Sequence, residues 1–420
     1  MMNISFIEEV VNDQLAYFSK KDSGIPRHVD FGRYLKTRQI TVISGIRRSG
    51  KSTLLSQFAG RVKEYYYVNF DDERFINFSV EDFSNLMVVF QKLYPAKTVF
   101  IDEVQNIAGW ERFVRRLHDE GYKIYLTGSN ARLLSSELAT HLTGRYLKIE
   151  LYPFSFAEFL DFHGVEYRSI SSRGRAAVLR HFDEYLKKGG LPEFVRYNDP
   201  ESLKRVYDDI LYRDILVRFN IREVKAFKNL ASFIFTNFTK EMSYNSLKNG
   251  LGFKSVTSVT NYMEFMQEAY LVFELPRYDY SLKKQVATGK KMYVIDNGLR
   301  NAVSFYFSED SGRLLENIVY IELKRRGQEI FYFRGKNECD FLVRTGSKIT
   351  EAIQVSRELR RGVNEEREIK GILEAALMCK LKTGTIITLH QENEIKKEGV
   401  TIRLVPVWKW LIENENTPSK

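Results

Sequence analysis

Apolar positions along this chain recur with two different periods. Near the start, Ile7, Val10, Val11, Leu15 and Phe18 fall at helical spacing and predict an amphipathic helix packed on the domain that follows. Between Gln39 and Leu151 the pattern changes to short apolar runs separated by helical stretches. Residues 40–44, 64–69, 98–101, 123–127 and 146–151 read as strands. Strands alternating with helices predict a three-layer α/β domain with a mostly parallel sheet.

After Pro153 the pattern is helical as far as Phe219, broken once at Gly189-Gly190-Leu191-Pro192. From Glu223 to Val303 it changes again. A helical stretch over 227–239 leads to Tyr244 and a Gly-rich turn. Ser255 then caps a second helix, in which Val256, Val259, Tyr262, Met263 and Met266 share one face. Two β-like runs follow, 271–275 and 291–295, and helix, turn, helix, hairpin is the order of a winged helix. From Arg313 to Trp410 the order is helix, three strands, helix, strand, which is a further α/β or α+β module. These shifts divide the chain into an N-terminal helical segment (1–38), an α/β core (39–152), a helical lid (153–222), a winged-helix domain (223–305) and a C-terminal domain (306–420).

One segment carries clear chemistry. Gly45-Ile46-Arg47-Arg48-Ser49-Gly50-Lys51-Ser52 matches the P-loop pattern, with a predicted strand directly before it and a helix from Thr53 directly after. Gly45 and Gly50 let the backbone turn tightly and aim N–H groups at phosphate oxygens, and the positive end of the helix adds attraction for an anion. The predicted phosphate-binding set is Gly45, Arg48, Ser49, Gly50, Lys51, Ser52 and Thr53. Lys51 can bridge the terminal phosphates and Ser52 can ligate Mg²⁺. The expected ligand is a nucleoside triphosphate, with ATP the first choice; no guanine-reading N-K-x-D element is evident, which by itself does not settle ATP against GTP.

The run Thr98-Val99-Phe100-Ile101-Asp102-Glu103 ends a buried-strand pattern in two acids. Asp102 is the candidate second metal residue and Glu103 the candidate that orients or deprotonates the attacking water. The next strand runs into Gly128-Ser129-Asn130, where Asn130, with Ser129 second, would face the terminal phosphate. Arg145, just before the last core strand, is the candidate transition-state cation, in cis or from a neighbouring subunit of a homo-oligomer, with Arg132 competing for the role.

Composition refines this picture modestly. The formal net charge is +10, from 64 basic and 54 acidic residues. This balance favours polyanion partners such as DNA or RNA and equally fits a solvated surface. Two cysteines, Cys339 and Cys379, make no disulfide framework or metal cluster. No stretch approaches the ~20 apolar residues of a membrane span, and the first residues lack a signal-peptide pattern, so the expected location is the cytoplasm, with no membrane partner.

Together, the P-loop segment, Phe100-Ile101-Asp102-Glu103-Val104-Gln105, Leu126-Thr127-Gly128-Ser129-Asn130, and Leu142-Thr143-Gly144-Arg145 with Leu151-Tyr152-Pro153-Phe154-Ser155-Phe156 resemble bacterial and archaeal AAA-type ATPases that carry a C-terminal domain of unknown function. The resemblance spans nearly the whole chain. It implies an ATPase core, a helical lid, a winged-helix segment and a restriction-endonuclease-like end domain, with ATP and Mg²⁺ as ligand and cofactor. In that end domain Glu316, Asp340, Gln354 and Ser356 stand at the positions of the nuclease centre. The pattern departs where it matters, because Gln354 and Ser356 replace the expected Glu and Lys, and Ser356 supplies no cation. Glu351 falls on the opposite strand face, with Ile353 and Val355. The expectation is an ATPase that couples hydrolysis to conformational change, acting on nucleic acid. Two alternatives stay open: a nucleotide-gated binding switch with slow turnover, and an ATP-coupled metal-dependent nuclease, against which the two replacements argue. On the second helix of the winged-helix segment, Lys254, Thr257, Ser258, Thr260 and Asn261 would face either DNA or a protein partner.

Overall fold

The computed structural model describes residues 1–129, 142–168, 172–304 and 311–413. They form two units, Met1–Tyr152 with Glu268–Tyr270, and Pro153–Gln267 with Leu271–Lys420.

The first unit begins with α1 (Ile4–Lys20), capped by the Asn3 side chain on the Ser5 amide, and α2 (Phe31–Lys36). Then follow β1 (Ile40–Ser44), α3 (Lys51–Ala59), β2 (Tyr66–Asn69), α4 (Asp82–Leu93), β3 (Thr98–Asp102), α5 (Trp110–Asp119), β4 (Lys123–Gly128) and β5 (Tyr146–Glu150). The strands form a five-stranded sheet in the order β2-β3-β4-β1-β5, parallel throughout. Every strand position predicted from the pattern is occupied, with the second strand starting at Tyr66 rather than two residues earlier.

Strand alternation sorts the core into two layers. Val42, Val68, Ile101 and Leu126 face one side, with residues of α4 and α5 such as Phe83, Leu86, Trp110 and Phe113. Ile43, Tyr67, Phe100 and Tyr125 face the other, with Leu54, Leu55 and Phe58 of α3. Helix α1 contributes to both. Its Ile7, Val10 and Val11 lie in the first layer and its Phe18 in the second. The helix therefore crosses the exposed edge of β2, where Gln14 donates to the Asn69 carbonyl (3.0 Å) and accepts from the Asn69 amide (2.9 Å). This side-chain amide covers an edge that would otherwise present unpaired backbone groups.

The second unit opens with helices α6 (Phe156–Phe162), α7 (Ser172–Lys188), α8 (Pro192–Tyr197) and α9 (Pro200–Asp209), the last running into a π-helical stretch over Ile210–Val217. A Ser155–Glu158 capping box starts α6. Next come α10 (Val224–Thr236), β6 (Glu241–Met242), α11 (Tyr244–Leu251), α12 (Val256–Glu268), β7 (Val272–Leu275), α13 (Leu282–Ala287), β8 (Lys290–Val294) and α14 (Asn297–Val303). Strands β6, β8 and β7 make a small antiparallel sheet. The expected β-like runs do pair. They are joined through α13 rather than by a tight hairpin.

The C-terminal part comprises α15 (Ser311–Arg325), β9 (Glu329–Arg334), β10 (Glu338–Thr345), β11 (Lys348–Val355), α16 (Glu365–Met378), β12 (Thr383–Thr388), β13 (Asn393–Lys397), β14 (Val400–Pro406) and α17 (Val407–Glu413). Its six-stranded sheet has the order β13-β14-β12-β11-β10-β9, antiparallel over β9-β10-β11, parallel over β11-β12-β14, and antiparallel again at β13. Two more strands and a further helix are present than the sequence pattern predicts. The edge strand β13, Asn-Glu-Ile-Lys-Lys, buries no residue, so it has no apolar alternation to read. Helix α16 covers one face of this sheet through Ile369, Ile372, Leu373 and Ala376.

Candidate nucleotide site

The P-loop leaves the C-terminal end of β1. A Cβ at Gly45 would sit 2.2 Å from the Leu151 carbonyl oxygen, so only glycine lets the loop pass this close to the chain leaving β5. Gly50, at φ +91°, turns the backbone into α3, which begins at Lys51. The first-turn amides of α3 have no partner within the helix, and they stand at its positive end. The Ser49 hydroxyl is fully buried and has no hydrogen-bond partner. Lys51 is nearly buried; its Nζ donates to the Gly45 and Ile46 carbonyls at 3.2 Å each and lies 3.9 Å from Glu103. Arg48 is exposed at φ +66°, and Thr53 is half-buried on the first turn of α3.

Asp102 ends β3 with only 3% of its surface exposed. Its carboxylate accepts a hydrogen bond from the Thr127 hydroxyl, and the Ser52 hydroxyl lies close enough to favour its charged form. Burial raises its pKa and the neighbouring Glu103 pushes the same way, while Thr127, Ser52 and the ammonium of Lys21 oppose them. Glu103 follows at φ +50°, its amide donating to Thr127 Oγ1 (2.9 Å) and its carboxylate accepting from Gln105. Lys51, Ser52, Asp102 and Glu103 are thus brought together.

Other candidates are placed differently. Ser129 is buried just after β4, while Asn130 and Arg132 lie outside the described residues. Arg145 precedes β5, and its carbonyl accepts from the amide of Ile40, the first residue of β1. It therefore stands at the opposite end of the sheet from the P-loop, roughly 13 Å of strand rise away. Its guanidinium pairs with Asp119 at 2.7 Å. Within this chain it does not reach the loop.

Several residues here were not found from the sequence. Thr127 links both acids, and its place follows from the register Ile101↔Leu126, which sets it beside Asp102. Lys21, half-buried just past α1, lies in the field of Asp102, and so does the buried Tyr67 hydroxyl. Arg27 is buried and donates to the Ser49 and Tyr152 carbonyls at 2.8 Å each. Its amide donates to Gln57 Oε1, whose Nε2 bonds the Ser23 and Ile25 carbonyls. Tyr270, at φ +59°, places its hydroxyl 2.7 Å from Ser44 Oγ, at the last residue before the loop.

In the C-terminal part, Glu316 on α15 and Asp340 on β10 are brought together, by Lys291 of β8 between them. Gln354 meets Asp340 only through its backbone, its Oε1 accepting from the Asp340 amide (3.1 Å) and its Nε2 donating to Glu368 (2.6 Å). Ser356 turns toward Glu358 and Asn364 and takes no part in this cluster.

The donor set at the P-loop fits a triphosphate tail and its divalent cation. It combines an orphaned buried hydroxyl, first-turn amides, a lysine, and a hydroxyl–carboxylate pair. Comparison with known proteins agrees. Residues 37–160 match the model of an AAA domain, and residues 179–310 match a domain of unknown function, DUF8612. The chain is 38% identical over 426 residues to the uncharacterized protein MJ1544 of Methanocaldococcus jannaschii, covering 96% of this chain and 94% of that protein. It is 33% identical over 353 residues to an uncharacterized protein of Haemophilus influenzae, covering 79% and 86%. The chain belongs to their family. Its AAA domain implies a nucleotide ligand, ordinarily with Mg²⁺. Among solved structures, AMPPCP-bound DnaA from Aquifex aeolicus aligns with 62% of this chain and 86% of its own, at 13% identity and a TM-score of 0.23, too loose a superposition to extend the reading. Among the described residues, no helix is long and apolar enough to cross a membrane.

Proposed function

We propose that this protein is an AAA-type ATPase that binds Mg-ATP at the P-loop and hydrolyses it to drive conformational change. The observation carrying this is the placing of Lys51 and Ser52, at the start of α3, beside the carboxylates of Glu103 and Asp102, with Thr127 bonded to Asp102. On nucleotide binding, Lys51 exchanges the Gly45 and Ile46 carbonyls for phosphate oxygens, and the α3 amides and Ser49 hydroxyl take the remaining ones. Ser52 and Asp102 would hold Mg²⁺, which neutralises phosphate charge. Glu103, steadied by Gln105, orients and deprotonates the attacking water. Nucleotide titration and turnover test this. Lys51→Ala should lose affinity and turnover together. Glu103→Gln should keep affinity and lose turnover by about 10²- to 10⁴-fold; equal losses of both would refute its role.

For residues 223–305 we propose a winged helix. The order α10-β6-α11-α12-β7-α13-β8 and the antiparallel β6-β8-β7 sheet support it. Lys254, Thr257 and Asn261 are exposed and favour a nucleic-acid partner, with a protein partner as the second reading. Turnover raised by DNA or RNA supports the first; a slow rate insensitive to either supports the nucleotide-gated switch.

For residues 306–420 we propose a restriction-endonuclease-like fold without nuclease activity. The mixed sheet flanked by α15 and α16 supports the fold, and the engaged side chains of Gln354 and Ser356 support the lack of activity. Cleavage of DNA in Mg²⁺ or Mn²⁺ that disappears in Asp340→Ala would overturn this.

A further inference from the structure

The acidic centre of the C-terminal part already contains a cation. Lys291 lies on β8, outside the predicted nuclease-like segment, and is 5% exposed. Its Nζ stands 2.7 Å from Glu338 Oε1, 2.9 Å from Asp340 Oδ1 and 3.2 Å from Glu316 Oε1. These three carboxylates come from two elements, β10 and α15, and the lysine from a third.

Two further protein donors serve the same carboxylates. Asp340 Oδ2 accepts from the Val355 amide (3.0 Å), and Glu316 Oε1 also accepts from the Tyr293 hydroxyl (2.6 Å). The Tyr293 ring stacks on Tyr320 of α15 with centroids 3.9 Å apart, which fixes that hydroxyl beside Glu316. Gln354 Oε1 accepts from the Asp340 amide. A divalent cation such as Mg²⁺ needs several oxygens converging at ~2.0–2.1 Å, Ca²⁺ at ~2.3–2.6 Å. Here the oxygens converge on an ammonium at hydrogen-bond distance. Among the described residues, no group of three or more His, Cys, Asp or Glu side chains is arranged to hold a metal.

We infer that Lys291 is the resident cation of this centre, standing where a nuclease of this fold would hold its metal, and that it latches β8 to α15 and β10. The comparison with a metal rests on the restriction-endonuclease-like reading of residues 306–420; the latch itself does not. Removing one member of a buried ion cluster leaves the others uncompensated, whereas removing charges in balance does not. That asymmetry supplies the test.

The full-length protein, Lys291→Met, Asp340→Asn and the Lys291→Met/Asp340→Asn double variant are compared by thermal unfolding and by calorimetric titration with Mn²⁺ in the absence of nucleotide. Lys291→Met should melt well below wild type, and the double variant should recover part of that loss. Wild type should show no Mn²⁺ uptake that depends on Asp340. Lys291→Met should gain such uptake, or a melting temperature raised by Mn²⁺, and the double variant should lack it. Wild-type Mn²⁺ binding abolished by Asp340→Asn would overturn the resident-cation claim. A Lys291→Met protein as stable as wild type, or a double variant no more stable than the single one, would overturn the latch. Absence of DNA cleavage together with no Mn²⁺ effect in Lys291→Met would keep the latch and remove the metal-replacement reading.

Discussion

The hydroxyl of Tyr270 lies 2.7 Å from Ser44 Oγ, joining residues 226 positions apart at the strand end from which the P-loop departs. Tyr270 is 3% exposed and adopts φ +59°, a backbone conformation that bulky residues rarely take. Lys148 lies against the same ring. Tyr270→Phe keeps the ring and leaves the Ser44 hydroxyl, which is fully buried, without this partner. The expected cost is about 1–3 kcal/mol in urea-induced unfolding. Because Ser44 is bonded directly to Gly45, nucleotide affinity should also fall, measured by titration with a fluorescent ATP analogue. Unchanged affinity with reduced stability would confine Tyr270 to holding the sheet.

Thr127 bridges the two acids of the site, donating to Asp102 and accepting from the Glu103 amide. Thr127→Val preserves shape and removes both bonds. Residues that orient metal ligands and bases typically contribute about 10- to 100-fold. The expected outcome is a turnover loss of that size with a raised Mg²⁺ requirement and a smaller change in ATP affinity. Steady-state kinetics across a Mg²⁺ series would check it. A variant with wild-type kcat would leave Thr127 without a role in positioning.

How much of this was legible follows from which contacts are local. The P-loop could be read because strand, glycine turn and helix are contiguous, and Asp102 because a buried strand ending in acids stands out against its neighbours. Thr127 could not be read until β3 and β4 were paired, and Tyr270 not at all, since nothing in its own segment points to β1. Lys291 sits in an apolar strand pattern with no acid beside it in sequence; Glu316 and Asp340 reach it only through the packing of α15 and β10. Arg145 precedes a strand in the sequence pattern, but that pattern does not show that this end of a parallel sheet lies away from the loop. Strand β13 lacked a signal because neither of its faces is buried.

Asp296 makes a pH-dependent contribution that can be measured. It caps α14, accepting from the Leu299 amide (2.9 Å) and from the Gly190 amide (2.7 Å). Gly189 passes so close that a Cβ there would lie 2.1 Å from its carboxylate. Burial pushes its pKa up to about 6 from 3.8, against the opposing bonds from Gly190, Leu299 and Gly298. The unfolded chain therefore releases this proton first as pH rises. The stabilising contribution is full below about pH 4 and is lost as pH rises through about 6. A shift of about two units corresponds to about 3 kcal/mol. The stability difference between wild type and Asp296→Asn, measured by denaturant unfolding, should shrink by roughly that amount between those pH values. Other carboxylates titrate in both proteins and cancel. A difference independent of pH would mean that Asp296 is ionised throughout.

Helix α1 is expected to be part of the AAA domain's fold rather than an appendage, and two adjacent residues can decide this. Phe18 is 3% exposed and stacks on Tyr67 with centroids 3.8 Å apart, while Tyr17 is 74% exposed. Tyr67 in turn lies in the field of Asp102, so the stack reaches toward the candidate metal residue. Phe18→Ala opens a cavity in the layer that contains Phe58, Phe100 and Tyr125 and should cost about 3–5 kcal/mol. Tyr17→Ala should stay within about 0.5 kcal/mol of wild type. Both figures come from equilibrium unfolding. Since Tyr67 would lose its support, Phe18→Ala should also weaken Mg-ATP binding more than Tyr17→Ala does. Similar, small effects of the two substitutions would show that α1 is tethered by the chain alone and contributes nothing to the sheet edge it crosses.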